Sequence, residues 1–280
     1  MNVITKEEFD CMRLMVQADD FAMTDAVAEG ILKCAREGIL TQTGLMTNGP
    51  HAGYYARRME KECPHVSLGQ DVNLVSGKPL SDPSLIPSLV DENGVLHSSG
   101  YHMMLDQTCP HHIPYEEALI ETEAQYLKYV EITGHKPYYF IPHSYGNTET
   151  ARALQEVAEK YNLVTMDTIR ERYGIEIQLG PWYPENTHDK SISQLEVQKN
   201  GPDPLEMFKN NQLHYFQDHV SEKDAVCLLH THAGFIDDEL LHMSTLTVTR
   251  VREAHMLCDP YVKKWIRENN VALVGARELF

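Results

Sequence analysis

RLMVQADD, residues 13–20, is a short apolar run that ends in two adjacent carboxylates. The run Arg13–Ala18 has the length and composition of a buried strand. Thr24 is placed to cap a helix over Asp25–Glu37, and Gly38 to stop it. Within that helix Val27, Ile31, Cys34 and Ala35 recur at helical spacing. The chain therefore opens with a strand–helix unit carrying Asp19-Asp20 at the strand's end. Neighbouring side chains of a regular strand point to opposite faces, so the two carboxylates cannot serve one point unless the chain turns there. If it turns, one can hold a cation while the other activates water. A plainer reading is that the pair caps the following helix.

Outward from this unit the same alternation continues. Strand patterns occupy Leu40–Met46, Val66–Leu74, Tyr138–Ile141, Leu163–Met166, Ala225–Leu229 and Val271–Val274. Helical patterns occupy His51–Lys61, Tyr115–Thr133, Thr148–Tyr161, Pro204–His219, Ser244–Cys258 and Pro260–Glu268. Two long irregular segments interrupt them, Val75–Gly100 and Asp167–Gly201; loops of that length in compact domains usually serve function. The alternation predicts a parallel sheet with helical cover. With about seven strands and no linker, the expected architecture is one α/β domain over residues 1–280, an irregular TIM-barrel-like (β/α) barrel. An open doubly wound sheet is the alternative. No G-x-G-x-x-G follows the first strand, which argues against a dinucleotide site. Either architecture gathers chemistry at the C-terminal strand ends.

Composition narrows the partners. A net charge of −17 repels phosphate backbones, so no nucleic-acid partner is expected. Residues 1–10 lack a basic start with an apolar run, and no stretch approaches the roughly 20 apolar residues of a membrane span. Six scattered cysteines without a C-x-x-C pair fit reduced thiols in a cytoplasm.

The polar residues at the strand ends are Asp19 and Asp20, then Asp71 and Asn73, then His143, then His230 and His232. Carboxylates and imidazoles from four strand ends are what a three-ligand metal site with an adjacent acid and base requires. Each alone has a plainer reading: Asp71 can bond a turn, and His143 or one of His230 and His232 can be a core histidine. The alternation His230-Thr231-His232 would put both rings on one side of a strand. His111-His112 reads as surface, with a secondary metal site as the lesser alternative. Tyr54, Tyr55, Tyr101 and Trp182 are candidate sugar-stacking aromatics, or equally core and loop anchors. Few Lys or Arg flank the carboxylates in sequence, which disfavours a phosphate substrate.

Taken in order, these motifs resemble the YdjC-like carbohydrate deacetylases over nearly the whole chain. ADDF (Ala18–Phe21) with TDAVAEGI (Thr24–Ile31) is similar to that family's opening block, and GLMTNG (Gly44–Gly49) to its second strand. Pro79-Leu80 with IPSLVDENG (Ile86–Gly94), ETEAQ (Glu121–Gln125) with GHKP (Gly134–Pro137), HAGFIDD (His232–Asp238) and the Arg250, Glu253, Leu257 set follow in family order.

The resemblance implies a TIM-barrel-like fold and hydrolysis of N-acetyl groups from amino sugars or their oligosaccharides. It further implies one divalent metal and a homodimer. By motif position Asp20 and His143 would be ligands, Asp19 the base acting on water and His232 the general acid. Such an acid should carry its proton near neutral pH; Asp237 is placed either to orient it or to cap a helix. The chain departs from the family where GQDVNL (Gly69–Leu74) stands for GLHLNL, so Asp71 replaces a ligand histidine. An Asp20–Asp71–His143 set should tolerate Zn2+ while favouring Mg2+ or Mn2+. Tyr145 and Asn147 replace later histidines, Ala233 a proline and Ala22 a glycine. The alternatives are a hydrolase of another amide or of a phosphate ester, and a binding protein without catalysis.

Overall fold

The computed structural model describes residues 10–176, 180–183 and 194–279. Among the described residues six strands form one parallel sheet: β1 (Arg13–Phe21), β2 (Gln42–Leu45), β3 (Ser67–Val72), β4 (Phe140–Pro142), β5 (Val226–Thr231) and β6 (Ala272–Leu273). The hydrogen-bonded order is β4-β3-β2-β1-β5, with β6 against the start of β1. The helices of the first part of the chain are α1 (Asp25–Glu37), α2 (Ala52–Glu62), α3 (Ser99–Asp106), α4 (Tyr115–Thr133), α5 (Thr148–Tyr161) and α6 (Met166–Tyr173). They are followed by α7 (Gln194–Asn200), α8 (Pro204–Lys209), α9 (His214–Gln217), α10 (Asp238–Met243), α11 (Val248–Cys258), α12 (Pro260–Glu268) and α13 (Ala276–Leu279).

β1 is buried along its whole length, as expected for the central strand of a sheet covered on both faces. One face, with Leu14, Val16 and Ala18, packs among Val27, Ile31 and Leu257 of the helical layer. On the other face Met15 meets Tyr139 at the β4 end and Val226 and Leu228 of β5 in a single cluster. β4 and β5 lie at opposite ends of the hydrogen-bonded path, so the sheet curls.

The expected helix start holds: Thr24 Oγ1 accepts from the Val27 amide, and Gly38 closes α1. Neither Asp19 nor Asp20 caps α1. The expected strand at Leu163–Met166 shrinks to one parallel bridge between Thr165 and Phe140. Thr165 caps α6 instead, accepting from the Thr168 amide, so local capping overrides the apolar run. The helix expected over Pro204–His219 divides into α8 and α9, with Asn211 between them at φ 55°. Residues 167–201, read as loop, carry α6 and α7; residues 177–179 and 184–193 lie outside the described part. Among the described residues no helix is long and apolar enough to cross a membrane.

Candidate active site

The deciding local event is at the end of β1. Its register against β2 shifts between Ala18 and Phe21. Asp20 has φ 70° and Ala22 φ 71°, left-handed conformations uncommon for residues with a side chain. The chain therefore turns inside the Asp-Asp pair, and the two carboxylates go to different neighbours.

Asp20 meets β3 and the chain after β4. Its Oδ1 lies 2.9 Å from His143 Nδ1, which is also 3.6 Å from Asp71 Oδ2. The Asp20 amide donates to Asp71 Oδ2 at 3.1 Å. The three side chains offer donor atoms within 4.8 Å of one another. On its other oxygen Asp20 receives Arg250 Nη2 of α11 at 2.5 Å. This cation comes from 230 residues away in sequence, beyond any flanking position. It is buried and committed to Asp20 and to the carbonyls of Leu246 and His232.

Asp19 turns to β5. His230 Nε2 stands 2.6 Å from its Oδ2, and Gln17 Nε2 donates to its Oδ1 at 2.8 Å. The His230 and His232 rings lie side by side with centroids 5.2 Å apart, as strand alternation predicts. His232 Nδ1 is 2.7 Å from the Tyr183 hydroxyl, which donates to Glu253 Oε1. Trp182 Nε1 donates to the same oxygen, and the His232 amide to Oε2.

Asp237 does not orient His232. Its two oxygens accept from the amides of Leu240 and Ala26, so it caps α10 and ties it to α1.

Charge in this region is set by burial against close partners. Burial opposes ionisation of Asp20, but Arg250 and His143 together hold its carboxyl well below the usual range. Burial pushes Asp71 up to about 6. Burial also disfavours a charged His143, yet Asp20 and Asp71 outweigh it and raise the ring to about 10. His230 is raised likewise because Asp19 overcomes its burial. His232 goes the other way, to about 4: burial dominates, and His230 and Arg250 offset the carboxylates. The expectation of a protonated His232 near neutral pH is therefore corrected; the ring is neutral at rest.

Both trios line one cavity of about 380 Å3, together with Phe140, Ile141, Tyr145, Leu154 and Met166. The four aromatics expected to stack on sugar do not line it. Tyr55 packs on Phe21, Tyr54 on Tyr55 and Tyr101 on His97, while Trp182 is buried against Glu253. Tyr145 and Phe140 are aromatics that do line the cavity. His111 is exposed, whereas His112 turns inward to meet His102 Nδ1 at 2.8 Å.

Several residues here escaped the sequence reading. The alternation of His230 and His232 was visible, but the partnership of His230 with Asp19 was not. Arg250 and Glu253, three apart on α11 and both buried, belong to a family motif that by itself assigns them no role. Nothing in the sequence around Tyr183 signals its place.

The geometry of the donor set suits a cation. Asp20 Oδ1 is buried without a well-aligned hydrogen-bond donor, although His143 Nδ1 is near. An oxygen of this kind, beside a second carboxylate and an imidazole, fits a divalent ion.

Comparison with known proteins gives concordant results. The family pattern described as YdjC-like protein matches residues 13–268. A carbohydrate deacetylase of Thermoanaerobacter pseudethanolicus is 28% identical over 276 residues, covering 94% of this chain and 97% of the relative. Carbohydrate deacetylase 2 of Listeria innocua is 29% identical, covering 96% and 99%. A chitooligosaccharide deacetylase of Proteus mirabilis is 35% identical over 130 residues, covering 46% of this chain and 48% of the relative. An Enterococcus faecalis crystal structure, named for cellobiose-phosphate cleavage, superposes with TM-score 0.70 at 23% identity over 96% of this chain and 98% of that one. At that identity the likeness establishes a shared fold.

Proposed function

The chain belongs to the YdjC-like family, and on that premise we propose that it is a metal-dependent carbohydrate deacetylase that removes N-acetyl groups from amino sugars or their oligosaccharides. The observation that carries this reading is the convergence of Asp20, Asp71 and His143 at one cavity, with Asp19 and His232 beside them. The relatives named carbohydrate deacetylase match 94% and 96% of the chain, which supports the same activity. The curled parallel sheet and the family match over residues 13–268 support one barrel-like domain, left incomplete between β4 and β5 among the described residues.

Asp20, Asp71 and His143 would hold the divalent cation. Bound there, it supplies Lewis-acid polarisation of the acetamide carbonyl and a lowered pKa for water. Two carboxylates with one imidazole form a hard donor set, compatible with Mg2+ and Mn2+ as well as Zn2+. Arg250 keeps Asp20 ionised and fixes its orientation.

Asp19 takes the role of general base. Gln17 and His230 hold both its oxygens, so the carboxylate is already aimed before substrate arrives. His232 is neutral at rest, so the proton it gives to the departing nitrogen must be gained within the cycle. The source is the proton Asp19 removes from water; donor atoms of Asp19, His230 and His232 within 4.8 Å support that transfer. Tyr183, backed by Glu253, holds the His232 ring. A cavity of about 380 Å3 accommodates the acetylated end of a sugar, and Tyr145 offers it an aromatic wall.

The test is product release from metal-loaded protein. N-acetylglucosamine oligomers should yield acetate, and phosphate esters should yield no phosphate. Phosphate without acetate would overturn the reading in favour of an esterase.

A further inference from the structure

The turn at Asp20 leaves a second set of ligand-type side chains on the β5 side. β1 and β5 run in parallel with Gln17 opposite His230 and Ala18 opposite Thr231. Asp19 therefore comes level with His232, while His230 and His232 share a face of β5. Asp19, His230 and His232 offer donor atoms within 4.8 Å of one another, separately from the Asp20 set.

We propose that Asp19, His230 and His232 form a second divalent-metal site, suited to a borderline cation such as Zn2+, and that filling it inhibits the enzyme.

The partners of His232 and Asp19 fit this assignment. A histidine that ligates a metal usually donates its other N–H to a carboxylate or an oxygen, which fixes the tautomer. The Tyr183 hydroxyl has a single proton and donates it to Glu253 Oε1. It must then accept from His232 Nδ1, 2.7 Å away, which leaves the Nε2 lone pair of His232 free for a ligand bond. Asp19 has one oxygen engaged by Gln17, and its other oxygen faces His230 Nε2 at 2.6 Å. Two ligands about 2.1 Å from a tetrahedral zinc stand roughly 3.4 Å apart. Asp19 and His230 would therefore part by less than about 1 Å to admit an ion between them.

The two sets differ in hardness. One carboxylate with two imidazoles suits Zn2+, whereas two carboxylates with one imidazole also suit Mg2+ and Mn2+. Three protein ligands leave a fourth position open to water, the composition of an exchangeable zinc site. The inhibitory consequence rests on the deacetylase reading above: zinc in this trio withdraws both Asp19 and His232 from proton transfer. A first equivalent of metal then activates, and a second equivalent of zinc stops turnover.

The experiment is metal stoichiometry on the full chain. Protein stripped with chelator is loaded with Mn2+ or Zn2+, passed through gel filtration and analysed by mass spectrometry. The wild type should keep one Mn2+ or two Zn2+ per chain. His230→Gln should keep one of either. If that variant fails to fold, metal-free wild type is titrated with Co2+, whose visible bands should grow up to two equivalents per chain and then be displaced by two of Zn2+. A single zinc in the wild type, two zincs in His230→Gln, or cobalt bands that saturate at one equivalent would overturn the second site. Stoichiometry failing while acetate release persists counts against this site alone. No acetate with Mn2+, at the expected stoichiometry, counts against the deacetylase reading.

Discussion

Asp19→Asn changes one oxygen to nitrogen and removes one charge, and its consequences can be worked from the contacts of Asp19. The carboxylate receives Gln17 Nε2 at 2.8 Å and His230 Nε2 at 2.6 Å. An asparagine can keep its oxygen toward Gln17 and offer its amide to His230, whose ring nitrogen accepts once neutral. The fold should therefore persist, at the cost of one charge-assisted hydrogen bond, about 1.5–3 kcal/mol before that rearrangement. The metal set is untouched, because Asp20, Asp71 and His143 keep their own contacts. What is lost is the group that accepts the water proton. General-base catalysis contributes roughly 10²–10⁴-fold, so kcat should fall by about that factor, equivalent to about 2.7–5.5 kcal/mol of barrier. The assay is initial-rate acetate release from N-acetylated oligosaccharide, with metal content measured on the same sample. Turnover within a few-fold of the parent at full metal loading would remove Asp19 from the role of base. Loss of metal would show that Asp19 belongs to the ligand set instead.

Other predictions concern its neighbours. Asp71→Asn can still accept from the Asp20 amide, so the fold should hold while Mn2+ affinity falls by more than the ~10–100-fold typical of outer-shell changes; unchanged calorimetric affinity would exclude Asp71 as a ligand. Arg250→Met leaves Asp20, 1% exposed, without its guanidinium, and should lower stability of the metal-free protein by roughly 3–5 kcal/mol. Added Mn2+ should recover part of that loss in thermal denaturation; a variant as stable as the parent would contradict the role given to the pair. Burial raises Glu253 from 4.5 to about 7, so the folded state favours its protonated form. That contribution is complete below pH 4.5 and is lost as pH rises through 7. Glu253→Gln, a neutral isostere, should flatten the stability profile of metal-free protein over that window, and an unchanged slope would refute the assignment.

Much of the scaffold was legible because its signals are local. The apolar run at Arg13–Ala18, the Thr24 cap and the Gly38 stop each depend on neighbours within a helical turn, and all held. The Leu163–Met166 run failed for an equally local reason, since Thr165 had a competing use as a cap. The site was legible as a list of residue types at strand ends, and Asp20, Asp71 and His143 do converge. Its division into two trios was not. That division depends on a left-handed Asp20, which no periodicity signals, and on the β1–β5 register. The charge state of His232 was misread because carboxylates can be counted in a sequence, whereas desolvation and the approach of His230 and Arg250 arise only on folding.

The central claim is that a divalent cation sits among Asp20, Asp71 and His143. Anomalous diffraction from crystals grown with Mn2+ tests it most directly. The account predicts one strong peak within coordination distance of all three side chains. A peak elsewhere, or Asp71 turned away from the ion, would contradict it.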